Sequence, residues 1–495
     1  MISKDERQAE CVSKWRNAKG KGTLNLTFRF GKTRVADIIL TNYINKNGNN
    51  KILFLVPNDI TKKNIIKNTK YGNEIELLTS NQFINKYKNV KDYIDYNLVI
   101  IDECHKFLDN EIYDCIIKIN TKFILCLTGV NITSEQKKKL EAINCPVIDT
   151  ISEKEAIENK WISDFVEYNL AVELSDDDKF KYAKYTNLIH ETLDIFKGVY
   201  KGVNSVFHKN VFDSDFDLII ACFAGKYIKD TNGFRTFVKS TIIRKIVAEC
   251  QGWNADLDVS SDYGKKINLY WNPDNIYERA KTFKQNVSNR NNILIFNRPK
   301  IEAVMDILKA NPVPTICFNE SVEMAEELAN YYPKNSIAYH NNIESRYMYD
   351  SKTGDIIRTK SGEPKKIGKT TLKKMAIEGM RDGTYNKLFT VKSLNEGLTI
   401  ENIEQVITTG GSCNTQTHEN RIARGKTFDY ANPNKVCVII NLYIDDFTIK
   451  IGVNQEDNTD ILKDVKSRDK QKLIERQSTT VQTPIWVSSI SEIFY

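Results

Sequence analysis

Short apolar runs alternate along residues 1–165 with stretches whose apolar positions recur at helical spacing. The runs Lys51–Val56, Leu98–Ile101 and Phe123–Leu127 are rich in Ile, Leu and Val, with turn or charged residues at their ends. Such runs lack the in–out alternation of a half-exposed strand. Interleaved with amphipathic segments, they predict a parallel sheet covered by helices on both faces. The alternation returns near residue 296. Strands are expected over Pro314–Asn319, Ser336–Tyr339, Lys387–Val391, Gln405–Thr408 and Val436–Tyr443, with helices over Ser321–Tyr332, Thr371–Arg381 and Thr415–Arg424. Between these halves no proline occurs from Pro146 to Pro273, and Asp178–Val199 and Arg235–Cys250 carry helix-like spacing. The pattern therefore predicts an α/β protein with parallel-sheet domains over 1–170 and 296–495. A mainly helical insertion or extension over 171–295 lies between them, and a cleft is expected at the carboxyl ends of the strands.

Composition narrows the class. The chain of 495 residues is too long for one core, and a hydrophobic fraction of 41% suits a folded protein. No apolar run approaches the roughly eighteen residues of a membrane span, so no membrane partner is expected. The first residues, Met1-Ile2-Ser3-Lys4-Asp5-Glu6-Arg7, are charged, and no secretory leader is expected. Ten scattered cysteines without a Cys-x-x-Cys pair argue against zinc and fit a reducing cytoplasm.

The net charge of +7 is mild but unevenly spread. Between Arg346 and Lys374 stand nine basic residues against three acidic ones, with turn signals at Lys352-Thr353-Gly354 and Ser361-Gly362 around Asp355–Thr359. This predicts a basic, hairpin-like insertion over 346–370, whose Arg358 and Lys360 are candidate phosphate contacts. In the middle region Lys226, Lys239, Arg244 and Lys245 stand beside Tyr227 and Phe234. They fit either a duplex-tracking surface or amphipathic helices.

Two segments carry chemistry. The strand-like Thr23–Thr27 runs through Phe28-Arg29-Phe30-Gly31-Lys32-Thr33 into a helical stretch beginning at Arg34. A phosphate loop needs backbone N–H groups at a helix start, a lysine for the β- and γ-phosphates and a hydroxyl for Mg²⁺; Gly31, Lys32 and Thr33 supply these. Arg29 and Phe30 replace the small residues usual there. A second Gly-Lys-Thr, at Gly368–Thr370, lacks a preceding strand and reads as an imitation. The apolar Asn97–Ile101 ends in Asp102-Glu103. There one carboxylate can hold the Mg²⁺ shell while the next orients the attacking water.

Asp102-Glu103-Cys104-His105 after four apolar residues resembles motif II of the superfamily 2 helicases and translocases, and further segments match that family in order. Arg7-Gln8 resembles its adenine-reading element, Val56-Pro57-Asn58 and Leu78-Thr79-Ser80 motifs Ia and Ib, and Leu127-Thr128-Gly129 motif III. Ile316–Ser321 resembles motif IV, Asn395–Ile400 motif V, with Thr399 where Asp is frequent, and Asn420–Gly425 motif VI. Motif VI usually opens with a Gln in register; here Thr417 holds that place and Gln416 stands one residue away.

The resemblance spans nearly all of residues 1–450 except the middle segment. It implies two RecA-like domains that hydrolyse ATP with Mg²⁺ in the cleft between them. Lys32, Asp102, Glu103, Arg421 and Arg424 are its catalytic candidates; the two arginines, three apart, are expected on one helix face as cross-cleft cations. ATP would be held by Gln8, Arg29, Phe30, Gly31, Lys32, Thr33, Arg34, Glu396 and Gly397, the metal by Thr33 and Asp102. Pro57, Asn58, Thr79, Ser80, Asn319, Ser321, Thr408 and Thr409 would grip a nucleic-acid backbone, and His105 and Thr128 would couple the two sites. The closing segments Val438–Tyr443, Asp445–Thr448 and Ile485–Val487 are similar to phage-encoded DNA helicases of the UvsW branch-remodelling kind. The expected partner is therefore forked, branched or duplex DNA. A monomer in the cytoplasm is expected, that of the host for a phage protein. An RNA helicase, or a nucleic-acid scaffold with a decayed ATPase site, stays open as an alternative.

Overall fold

The apolar run Ile52–Val56 becomes β2, buried at every position. It lies between β3 (Glu76–Thr79) and β4 (Ile94–Ile101) in a six-stranded sheet that also holds β1 (Lys21–Leu26), β5 (Ile119–Thr128) and β6 (Val147–Ile151). The order is β3-β2-β4-β5-β1-β6, and every pair is parallel. Alternate residues feed two apolar layers. Leu24, Phe54 and Ile100 pack on one face with Phe30 and Ile39, whereas Leu53, Leu55, Val99 and Ile101 pack on the other with Phe83 and Cys104. That division is the period of two that a strand imposes, with helices burying both sides.

The computed structural model describes residues 2–48, 51–108, 110–207, 212–224, 273–343, 345–347, 355–359, 361–391, 400, 402–411, 413–454, 459–477 and 482–495. A second sheet is built from β7 (Asp164–Val172), β8 (Thr315–Asn319), β9 (Ser336–Tyr339), β12 (Lys387–Val391), β13 (Gln405–Thr408), β14 (Val436–Ile444) and β17 (Ile485–Val487). Its order is β17-β7-β14-β13-β8-β12-β9, with parallel strands around a core of Ile316, Phe318, Leu388, Val406 and Ile439. The fold is thus α/β, with two parallel-strand sheets.

The chain divides into two compact units, and both sheets belong to the first: Met1–Val172, Lys300–Tyr443 and Arg468–Tyr495. The domain limits drawn from the sequence shift accordingly. β7, placed there with residues 1–170, pairs in the second sheet, because Glu167 and Asn169 join a buried polar network with Asn441 of β14. At the points where the chain re-enters this unit, Lys300 and Asp469 form a buried ion pair (2.6 Å).

The second unit comprises Glu173–Pro299 and Ile444–Ser467. Its described part is mainly helical, with helices Asp176–Ile195, Val199–Phe207, Asp215–Ala224 and Pro273–Ile295. The Asp215 carboxylate accepts from the N–H groups of Gly198 and Tyr200, satisfying the open start of the helix Val199–Phe207. An antiparallel ribbon, β15 (Phe447–Val453) with β16 (Asp460–Val465), also belongs here, anchored by Phe447 edge-on to Tyr182 (5.7 Å). The basic residues from Lys226 to Lys245 lie outside the described residues.

Of the segment expected as a basic hairpin, residues 345–347, 355–359 and 361–370 are described. The two-residue strands β10 (Arg346–Tyr347) and β11 (Lys366–Ile367) pair antiparallel, Arg358 bridges Pro364, and Gly362 turns at φ 83°. The imitation loop Gly368-Lys369-Thr370 opens the helix Lys369–Asp382, with Gly368 extended and not left-handed. Among the described residues, no helix is long and apolar enough to cross a membrane.

Candidate nucleotide site

β1 leads through Phe28–Phe30 to Gly31 (φ 107°), which starts the helix Lys32–Asn47. The backbone angle favours glycine, and a Cβ here would also stand 2.5 Å from Gln8 Nε2 and push that amide aside. The Gln8 amide donates to Phe30 O (2.9 Å) and is 4% exposed, so Gln8 braces the loop from beneath and does not line the cleft. Phe30 is fully buried, edge-on to Trp161 (5.3 Å). The loop is thus held by core packing at two of the positions proposed to touch ATP.

Arg29 departs most from the usual loop. Its φ of 65° lies in the left-handed region that glycine normally fills. Its carbonyl accepts from Lys4 Nζ (2.9 Å), and its Nε donates to Ala423 O (3.1 Å), which belongs to the second sheet's half. Burial lowers its pKa to about 10, so the guanidinium is still charged at neutral pH. Beyond Gly31, Thr33 and Arg34 also line the cleft, and Arg34 reaches Asp37 (3.5 Å).

At the end of β4, Asp102 N donates to Leu55 O (2.9 Å), and the chain turns sharply at Glu103 (φ 52°). A non-glycine residue in this region is costly by about 1 kcal/mol or more, which marks a turn held by its surroundings. Lys32 Nζ meets Glu103 Oε1 at 2.7 Å and passes over Gly129, where a Cβ would stand 2.5 Å from it. Burial and the neighbouring Glu103 push the Asp102 carboxyl up, against the pull of Lys32. Burial also acts to raise Glu103, but Lys32, by charge and hydrogen bond, outweighs it and holds that carboxyl low. Its Oε2 has no hydrogen-bond partner among the described residues. The adjoining Asp102 and Glu103 carboxyl groups offer hard oxygens of the kind a divalent cation takes, and binding one would draw the Asp102 proton off.

His105 links this edge to the second sheet. Its Nδ1 is 2.9 Å from Thr128 Oγ1 at the end of β5, and its Nε2 is 2.7 Å from Gln416 Nε2. Burial lowers the His105 pKa, which favours a neutral ring that donates on one side and accepts on the other. Gln416, one residue out of register by motif spacing, is the residue that makes this contact.

The helix bearing Gln416 spans Thr415–Ile422 and is capped by Asn414. Gln416, Asn420 and Arg424 recur every fourth residue, and all three line the cleft. Arg421 does not: it donates to Glu320 Oε1 and Gly410 O (both 3.1 Å) and lies over Phe318 (5.5 Å). The expected shared face of Arg421 and Arg424 is corrected by the helix end. Arg424 stands in the turn beyond Ile422, its N–H bonded to Arg421 O, so the spacing rule does not reach it.

These groups surround a cleft of about 530 Å³. Lys4, Lys106, Phe428 and Tyr430 also line it. No spacing rule singles them out, because they come from a helix start, a short turn and a loop.

The proposed backbone-gripping residues lie elsewhere, except Pro57, which lines the cleft. Asn58, Thr79 and Ser321 cap helices by accepting from Thr61, Gln82 and Met324. Ser80 donates to Pro57 O, Thr408 to Asn441, Thr409 to Phe318 O and Asn319 to Cys317 O. Their side chains thus serve strand ends and helix starts. Arg358 is exposed, its guanidinium on Gly362 O. Glu396, Gly397 and Lys360 lie outside the described residues.

No family model matches the chain, and no curated protein does. Among solved structures it is similar to the crystal structure of the Pyrococcus furiosus Hef helicase domain, at 14% identity and a TM-score of 0.43, over 88% of this chain and 95% of that one.

Proposed function

We propose that this chain is an ATP- and Mg²⁺-dependent helicase or translocase of superfamily 2 that acts on forked or branched DNA. One observation carries the reading: the Gly31–Thr33 loop and the Asp102-Glu103 pair occupy one side of a cleft whose other side holds Arg424 and Gln416. Phosphoryl transfer needs little more than positioning and charge compensation, and these groups offer both.

The Gly31–Thr33 backbone at a helix start would receive the phosphates, and Lys32 would leave Glu103 to meet them. Thr33 and Asp102 would hold Mg²⁺, which supplies charge compensation between the phosphate oxygens. Glu103, freed of Lys32, would orient the attacking water. Arg424 would face the transferred group from the second sheet, so hydrolysis would depend on both sheets being in place. Arg421 would serve by fixing the helix start after β8 to the strand end after β13. DNA as the substrate rests on the motif resemblance and on the basic hairpin around Arg358.

The test is ATP turnover by the wild type, Lys32→Ala and Glu103→Gln with fork DNA, duplex DNA or single-stranded RNA present. Fork DNA should stimulate the wild type most, and either substitution should lower turnover by about a hundredfold or more. Equal, negligible rates in wild type and Lys32→Ala would leave a binding scaffold, and strongest stimulation by RNA would overturn the choice of DNA.

A further inference from the structure

The phosphate end of the cleft is defined by Gly31–Thr33, which leaves the position of the nucleotide's base to be found. Lys4 and the loop after Arg424 meet on the same short segment. Lys4 Nζ donates to Trp161 O (3.0 Å), while Ser163 N and Oγ donate to Lys426 O (3.0 Å) and Thr427 O (2.9 Å). Phe428 follows directly, so Lys4, Arg29 and Phe428 gather at one end of the cleft, joined there by Tyr430. The Phe428 and Tyr430 rings meet edge-to-face at 5.1 Å. Tyr430 is 74% exposed and lines the cleft, so its ring is accessible to a ligand there. An exposed aromatic ring held by edge-to-face contact with a second ring is a surface on which a planar base can stack. The side chain otherwise expected to read the base, Gln8, has its amide nitrogen on Phe30 O beneath the loop.

We infer that Tyr430, held by Phe428, is the platform on which the base of a bound purine nucleotide stacks. The base is then gripped by its face from the second sheet and is not selected along its edge by Gln8. This deepens the reading of the cleft as a nucleotide site and rests on it. Stacking discriminates poorly between purines, because every base presents a π-face. Adenine and guanine nucleotides therefore bind with similar affinity, and the base contributes to affinity only while the loop at 428–430 faces the phosphate loop.

Competition with a fluorescent ADP analogue on the full chain tests this, with ADP, GDP and inorganic tripolyphosphate as competitors. The wild type should bind ADP and GDP within about threefold of each other. Tyr430→Ala should weaken both roughly tenfold and leave tripolyphosphate unchanged, and Tyr430→Phe should restore wild-type affinity. Tyr430 is exposed, so the variant is expected to fold. Unchanged ADP affinity in Tyr430→Ala would overturn the inference. So would a tenfold preference for ADP over GDP that Gln8→Ala abolishes. Wild-type protein that binds neither tripolyphosphate nor ADP would remove the proposed function along with it, whereas tripolyphosphate binding without any benefit from a base removes only the platform.

Discussion

Arg29 shows how one residue can keep a loop's shape while changing its use. Its left-handed backbone angle is the one a small residue adopts without cost, and its side chain fills the space such a residue leaves, ending on Ala423 O. The two contributions can be separated. Arg29→Gly and Arg29→Ala both remove the hydrogen bond, but only glycine relieves the backbone. In urea unfolding, the glycine variant should exceed the alanine variant in stability by about 1 kcal/mol. Equal stabilities would mean that the loop changes conformation when the side chain is lost. The sequence marked Arg29 as out of pattern. It could not say where a long side chain ends, since that depends on a helix end almost four hundred positions away.

At the scale of elements, the helix Thr415–Ile422 is the part that both sides of the cleft use. Outward it presents Gln416 to His105, and His105 passes the contact to Thr128. Gln416→Ala and Thr128→Ala should each lower kcat by about tenfold with little change in KM. Their combination should cost no more than either alone, because they break one chain of contacts. Fully multiplicative losses would show two independent roles. Inward the same helix is tied by His418 Nε2 to Glu167 Oε1 (2.9 Å), where Asn441 and Gln477 also donate. Burial pushes the Glu167 carboxyl up, but His418 and Lys426 outweigh that and hold it at about 2. A carboxyl held below its unfolded value stabilises the fold above the unfolded value and loses that contribution as pH falls. Thermal stability should therefore drop between about pH 4.5 and pH 2, and Glu167→Gln should flatten that part of the profile.

The proposed basic hairpin has its own test. Replacing Asp355–Lys366 by a short flexible link should reduce fork unwinding and spare DNA-free ATPase; unchanged unwinding would deny it a role at the fork. Strands such as β2 and β8, and the segments on either side of the cleft, were legible because their residues are close in sequence or follow strict periods. The different directions of Arg421 and Arg424 were not, since the helix ends at Ile422 and Arg424 stands in the turn beyond it.

Across the whole molecule, the first unit is assembled from three stretches of chain, and its re-entry points are joined by Lys300 and Asp469. Removing one partner leaves a buried charge, so Asp469→Asn should destabilise by about 3 kcal/mol or more in denaturant unfolding. The paired change of Lys300→Met with Asp469→Leu should cost far less. A small effect of Asp469→Asn alone would show that water reaches the site. The sequence displayed two α/β halves with a helical stretch between them, yet not that β7 and a terminal strand complete the second sheet. Strand partners far apart in the chain leave no local trace.

That arrangement has a consequence for how the protein is made. β7 is synthesised long before β14, the neighbour it lies against, and the helix holding Asp469 and Gln477 comes later still. The first sheet has all its strands by residue 151 and can form while translation continues. The second must wait, with β7 unpaired, until β14 and β17 have emerged. Its closure joins residues of very large sequence separation, which makes it the slow step and the interval of greatest exposure to aggregation and chaperones.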